Sequence, residues 1–154
     1  MAHAQVAEKP VVRTDFSLLI DGVSVTSGGT TLDVINPATG EVFARCPAAG
    51  RAELDRAVAA ARRAFPAWSA LSFEDRTQAI ERMAAVLKAN ADVLAELLTR
   101  EQGKPLQQSK DEINRASTLT QGMLQIRFET QTIVDDAEKR IELRYVPLGV
   151  EGVI

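Results

Sequence analysis

Between residues 51 and 124 the apolar residues recur at steps of three and four, and this spacing makes the middle of the chain a run of amphipathic helices. Leu54, Ala57, Val58, Ala61, Ala64, Phe65 and Trp68 share one face of a first helix. Pro66 lacks an N–H and restricts Phe65, so regular helix is expected to stop or kink there. Ser72 with Asp75 three residues on reads as a capping box with the shorter acid. It opens a second helix whose expected buried stripe is Ile80, Met83, Ala84 and Leu87. Asn90 suits the cap of a third, with Leu94, Leu97 and Leu98 inward. Gly103 fits the residue just past that helix, where left-handed backbone ends it. Pro105 then opens a fourth as its first residue, with Leu106, Ile113, Ala116, Leu119, Met123 and Leu124 on the apolar side.

Short strands flank the helices. FSLLIDGVSV (16–25) places two β-prone runs around Asp21-Gly22, the pair favoured in a type I′ hairpin turn. SGGTT is a flexible connection, LDVI (32–35) a further strand, NPATG (36–40) a turn and EVFARC the strand after it. After Phe128, TIV (132–134) and RIELRYV (140–146) flank the polar DDAEK. The second run alternates, so Ile141, Leu143 and Tyr145 are expected on one face, with Glu142 and Arg144 toward water. The last residues, PLGVEGVI (147–154), carry β-branched Val150, Val153 and Ile154 and read as a strand bound for a sheet interior. A parallel α/β sheet opens with such a strand, then adds a helix and a second strand; here only the opening strand is expected.

Composition excludes several classes of function. Aromatic residues make up only 5%, so alanine and branched aliphatics must fill the interior. A net charge of −3 with interspersed signs lacks the clustered Lys and Arg of a nucleic-acid surface, and equally disfavours an anionic membrane. No stretch approaches the roughly 20 apolar residues of a membrane span. Residues 1–15 have no long apolar segment after a basic one, so they read as a loose arm and not a secretory signal, with His3 an exposed bystander. Cys46 is the only cysteine; an internal disulfide is impossible, and a reducing cytoplasm fits.

Motifs that carry chemistry are absent. There is no GxxxxGK[ST] loop, no GxGxxG and no HExxH. One His and one Cys do not supply the three or four protein ligands of a zinc site. Cys46, at a strand end before Pro47, reads as a small half-buried structural residue, and its one conceivable base, His3, lies in the arm. Glu101 falls on the apolar face of its helix, where a carboxylate needs a partner, and Lys104 is expected to clamp it at the helix end. The rival reading, a catalytic carboxylate beside a lysine, has no nucleophile or phosphate cradle nearby. Glu74–Asp75, Asp111–Glu112 and Asp135–Asp136 are adjacent pairs. Neighbours on a helix point about 100° apart, so helix-end charge, solvation and a hairpin turn account for them better than a metal does.

Taken in order, LLIDG, INPATGEV, AVAAARRAFPAWSAL, RTQAIERMAAVL, LLTREQGKP and RYVPLGVEGVI resemble the NAD(P)-dependent aldehyde dehydrogenases, from about residue 18 to residue 154. The resemblance implies an α/β fold of that family. Within it, residues 1–15 are a flexible arm and 16–131 the N-terminal strands and helical bundle. Residues 132–146 are an oligomerisation-type β-ribbon, and 147–154 the first strand of a truncated dinucleotide-binding domain. It implies oxidation of an aldehyde to a carboxylic acid by NAD or NADP, through a cysteine nucleophile, a general-base Glu and an oxyanion Asn that follows a Pro-Trp. None of these has a matching position here: Cys46 does not fit the nucleophile's motif, no catalytic, cofactor-binding or metal residue is assigned, and NAD or NADP is not expected to bind this chain tightly. A chain lacking nucleophile and hydride acceptor site is expected to be inactive. Glu101, Gly103, Lys104 and Pro105 match the family's E-x-G-K-P, a structural helix junction. Glu151 departs from the uncharged residue usual in the final strand. The ribbon implies a homo-oligomer, or pairing with a full-length relative, and self-association or partial melting around 140–154 is expected from its open edges. The alternative is a stand-alone, non-enzymatic interaction module, or the product of a decayed gene.

Overall fold

The computed structural model describes residues 16–26 and 29–153. The arm with His3, Ser27-Gly28 of the SGGTT connection, and Ile154 lie outside the described residues.

Helix α1 spans Arg51–Ala70, opened by a Glu53 carboxylate that accepts the Gly50 N–H at 2.9 Å. It does not stop at Pro66. Positions 62 and 66 are both exposed, so the Arg62 carbonyl freed by the missing N–H faces solvent, and the ring's cost is met there. Ser69 donates its hydroxyl to the Pro66 carbonyl at 3.0 Å within that last turn.

Helix α2 spans Phe73–Ala89. Ser72 Oγ accepts the Asp75 N–H at 3.0 Å, as the capping signal predicts. The shorter acid does not reach the Ser72 backbone; its carboxylate instead accepts the Ser72 hydroxyl at 2.7 Å. Asn90 also departs from expectation. It precedes α3 (Ala91–Gln102), but its side chain donates backward to the Val86 carbonyl at 2.8 Å, closing α2 and not opening α3. Gly103 ends α3 with φ +71, its N–H returned to the Thr99 carbonyl at 2.9 Å. Pro105 lies one residue outside α4 (Leu106–Met123) as its cap, with its carbonyl accepting the Ser109 N–H at 3.1 Å.

Helix α4 packs against both α2 and α3. Close approach on two sides requires small side chains, and the buried residues are accordingly Ala84, Ala95, Ser109 and Ser117. Ser109 is fully buried, and its hydroxyl pairs with Thr99 Oγ1 at 2.9 Å. This overturns part of the expected stripes: Met83, Leu106, Leu119 and Met123 are exposed, because the larger apolar side of α4 and of α2 faces outward. Among described hydrophobic residues, only Ile20, Ala44, Ala60, Ala84, Ala95 and Leu124 are buried, and four of the six are alanine. Burying an alanine removes little apolar area from water, so the core is thin.

The strands form three separate antiparallel hairpins among the described residues. β1 (Leu18–Ile20) and β2 (Val23–Val25) flank Asp21 and Gly22, both at positive φ as a type I′ turn requires. Ile20 and Ala60 bring this hairpin and α1 together, and Arg63 pairs with Asp21 at 2.9 Å. β3 (Thr31–Ile35) and β4 (Val42–Pro47) flank the NPATG turn, where Asn36 Oδ1 accepts the Ala38 N–H at 2.9 Å. β3 packs on α3, and this brings Pro37 over Gly103. β5 (Gln131–Asp135) and β6 (Arg140–Leu143) form the third ribbon, its turn held by Asp136 Oδ1, which accepts the N–H groups of Glu138 and Lys139 at 2.9 Å each.

The faces of that ribbon depart in part from expectation: Arg144 is exposed as expected, but Glu142 is covered and the apolar side is not. Ile141, Leu143 and Tyr145 are exposed, whereas the Glu142 side chain is only 14% exposed because Arg140 and Arg144 fold over it. Residues 147–153 make no strand ladder among the described residues. Leu148 and Val153 are almost fully exposed, while Val150, Glu151 and Gly152 border a cleft with Val58, Arg62 and Phe65 of α1. Glu151 is exposed, so its charge carries no burial cost.

Candidate functional site

Reaction chemistry needs a nucleophile, a base or a bound ion, and the candidates are scattered. Cys46 is half-buried on β4, opposite Leu32 of β3. No group of three His, Cys, Asp or Glu residues is placed to hold a metal among the described residues. The three acidic pairs are all engaged in structural contacts. Glu74 pairs with Arg127 at 2.6 Å and Asp75 caps α2. Asp111 accepts from Gln107 at 3.0 Å and Glu112 pairs with Lys104. Asp135 lies 3.7 Å from Arg140, and Asp136 ties the hairpin turn.

The expected Glu101–Lys104 clamp is not formed. Glu101 is exposed, and Lys104 reaches forward to Glu112 of α4. The left-handed turn at Gly103 redirects the chain onto α4, so the lysine leaves the end of α3 behind. Lys104 therefore clamps the helix junction through the other helix, and Lys110–Asp92 at 3.0 Å adds a second α4–α3 bridge. The cleft around Lys104, Gln108, Asp111, Glu112 and Arg115 mixes both signs and holds no nucleophile.

Two surfaces stand out instead. The first is an apolar groove of about 570 Å³ between α2 and α4, bordered by Trp68, Phe73, Ile80, Leu119, Met123 and Phe128. Several of these are exposed, which is the signature of a contact surface rather than of a finished core. The second is the β5–β6 ribbon. Glu142 accepts from Arg144 and from Arg140, the latter at 2.8 Å, and these hydrogen bonds hold its carboxyl below the usual carboxylate range, Arg144 first. Glu74 is likewise held low, chiefly by its hydrogen bond from Arg127. The R-x-E-x-R spacing on one strand face was a readable signal for the Glu142 clamp, since i, i±2 residues share a face. The Arg127–Glu74 contact joins residues 53 apart and leaves no local signal.

The helices, hairpins, helix-junction and turn motifs of the described residues make this an α/β chain. The sequence profile of the Aldehyde dehydrogenase family matches residues 24–154, and the chain belongs to that family. It is 37% identical over 142 residues to 3-sulfolactaldehyde dehydrogenase of Pseudomonas putida, covering 88% of this chain and 29% of that protein. It is 40% identical over 139 residues to glutarate-semialdehyde dehydrogenase of Pseudomonas aeruginosa, with the same shares. The chain thus spans about three tenths of the length of these relatives. Among solved structures, an NADP-dependent enzyme of E. coli superposes with a TM-score of 0.77 at 35% identity, over 82% of this chain and 27% of that one. A betaine aldehyde dehydrogenase variant from Staphylococcus aureus, in complex with NAD+, gives 0.74 at 28% identity, over 79% and 25%. No helix among the described residues is long and apolar enough to cross a membrane.

Proposed function

We propose that these residues form the N-terminal portion of an aldehyde dehydrogenase that oxidises an aldehyde to a carboxylic acid with NAD or NADP. In this reading they supply strands, helices and an assembly ribbon, and the reacting groups come from elsewhere in the fold. The observation that carries it is the family match across residues 24–154 combined with apolar faces left uncovered on α1, α2, α4 and the ribbon. Cys46, half-buried in the β3–β4 hairpin, is read as structural and is not assigned the nucleophile's role. The ribbon's role is pairing, with a second copy or a full-length relative.

Purified chain of these 154 residues, mixed with NAD+ or NADP+ and a panel of aldehydes, should yield no reduced cofactor above a buffer control. Clear turnover would overturn the scaffold role. Reading the nucleotide sequence past the Ile154 codon separates the enzyme from its rival: an encoded Pro-Trp-Asn and a later cysteine support the dehydrogenase. A stop codon with no such remnant favours a non-enzymatic interaction module, which the exposed ribbon would equally serve.

A further inference from the structure

We infer that Arg127 is a latch that fixes the direction of the β5–β6 ribbon relative to the helices. Neither strand of the ribbon packs extensively on a helix, so its orientation depends on the segment leading into it. Arg127 sits in that segment and grips the start of α2 twice. Its Nη2 donates to Glu74 Oε1 at 2.6 Å, and its guanidinium carbon stands 4.5 Å from the centre of the Phe73 ring. The neighbouring Phe128 ring lies 4.8 Å from that of Tyr145, just past β6. Two consecutive residues therefore tie opposite bodies: Arg127 holds the bundle and Phe128 holds the base of the ribbon.

Phe73 and Glu74 are placed for this by the local fold. Ser72 ends the preceding turn and caps α2, so the first two helical residues present ring and carboxylate side by side at a helix start. A planar guanidinium satisfies both at once, bonding in its plane and stacking on its face, which an ammonium does less well. The inference holds whether or not the dehydrogenase reading does.

The test uses the full chain with Cys46→Ser and spin labels at Lys139→Cys in the ribbon turn and Gln78→Cys on the exposed side of α2. Pulsed electron paramagnetic resonance should give one narrow distance distribution. Arg127→Met loses both contacts and should lower the ratio of docked to free ribbon about tenfold. Glu74→Gln loses only the screened ion pair and should lower it about two- to threefold. The exchange E74R/R127E restores opposite charges and should narrow the distribution relative to R127E alone. Amide hydrogen exchange in α4, measured on the same samples, reports whether the bundle stays folded. If Arg127→Met unfolds it, Glu74→Gln decides, because glutamine keeps the size and removes only the charge. A broad distribution in the unmutated ribbon, or variants as narrow as the parent, would overturn the latch.

Discussion

Replacing Gly103 by alanine tests how the helix junction is built. Two independent demands meet at this residue. Its φ of +71 is left-handed, which a residue with a Cβ occupies at a cost of about 1–2 kcal/mol. An added Cβ would also stand 2.8 Å from Pro37 Cγ, closer than carbon atoms approach without displacement. Pro37 is a rigid ring in the NPATG turn, fixed by the Asn36 hydrogen bonds, so it yields less than a flexible side chain would. Relieving such an overlap typically costs about 1–3 kcal/mol. Together Gly103→Ala should destabilise by about 2–5 kcal/mol, a large part of the roughly 5–15 kcal/mol that holds a domain of this size. Urea denaturation followed by far-ultraviolet circular dichroism measures it. The cycle with Pro37→Ala divides the two demands. In the double variant the steric share should return and the backbone share should persist. Gly103→Asn, which tolerates left-handed backbone but still carries a Cβ, should retain the steric loss. A Gly103→Ala penalty below about 0.5 kcal/mol, the range of ordinary surface substitutions, would refute both parts of the reasoning.

Further outcomes follow from the buried polar groups and the clamped carboxylates. Ser109→Ala should cost about 0.5–1.5 kcal/mol by denaturation, since Thr99 loses its partner, and Ser109→Leu more, because the α3–α4 contact has no room for it. Glu142 titrates lower in the folded ribbon than in the unfolded chain, so its contribution is full above its ordinary value of about 4.5 and is lost as pH falls through the depressed folded value. Hydrogen exchange of the β5–β6 amides should therefore quicken below that pH relative to the bundle amides, and Glu142→Gln should remove the Glu142 share of that acid sensitivity.

Some of this was legible in the chain itself and some was not. Local backbone chemistry read true: Asp21-Gly22, the Ser72 side-chain cap, the NPATG turn and Gly103 each act within a few residues, where sequence and conformation are tightly linked. The family, too, is carried by segments in linear order. Some failures are local, as where Asn90 closes α2 and does not open α3, but the larger ones involve distance. Pro66 stays helical because its lost hydrogen bond faces water, a matter of which side of α1 is covered. Met83, Leu119 and Met123 look like core by periodicity, yet α4 is wedged between two helices along its small residues, so serine is buried and methionine is not. Lys104 abandons Glu101 for Glu112 because the turn at Gly103 decides which helix lies within reach. Glu142 is covered where Ile141 is not, since two flanking arginines fold over it while no second layer covers the apolar side. The amino-acid order settled where the hairpins turn and where most of the helices begin and end, because those depend on φ, capping and period. Which faces are buried and which charges pair was decided only when elements far apart in the chain met, because burial and Coulomb attraction depend on proximity in space.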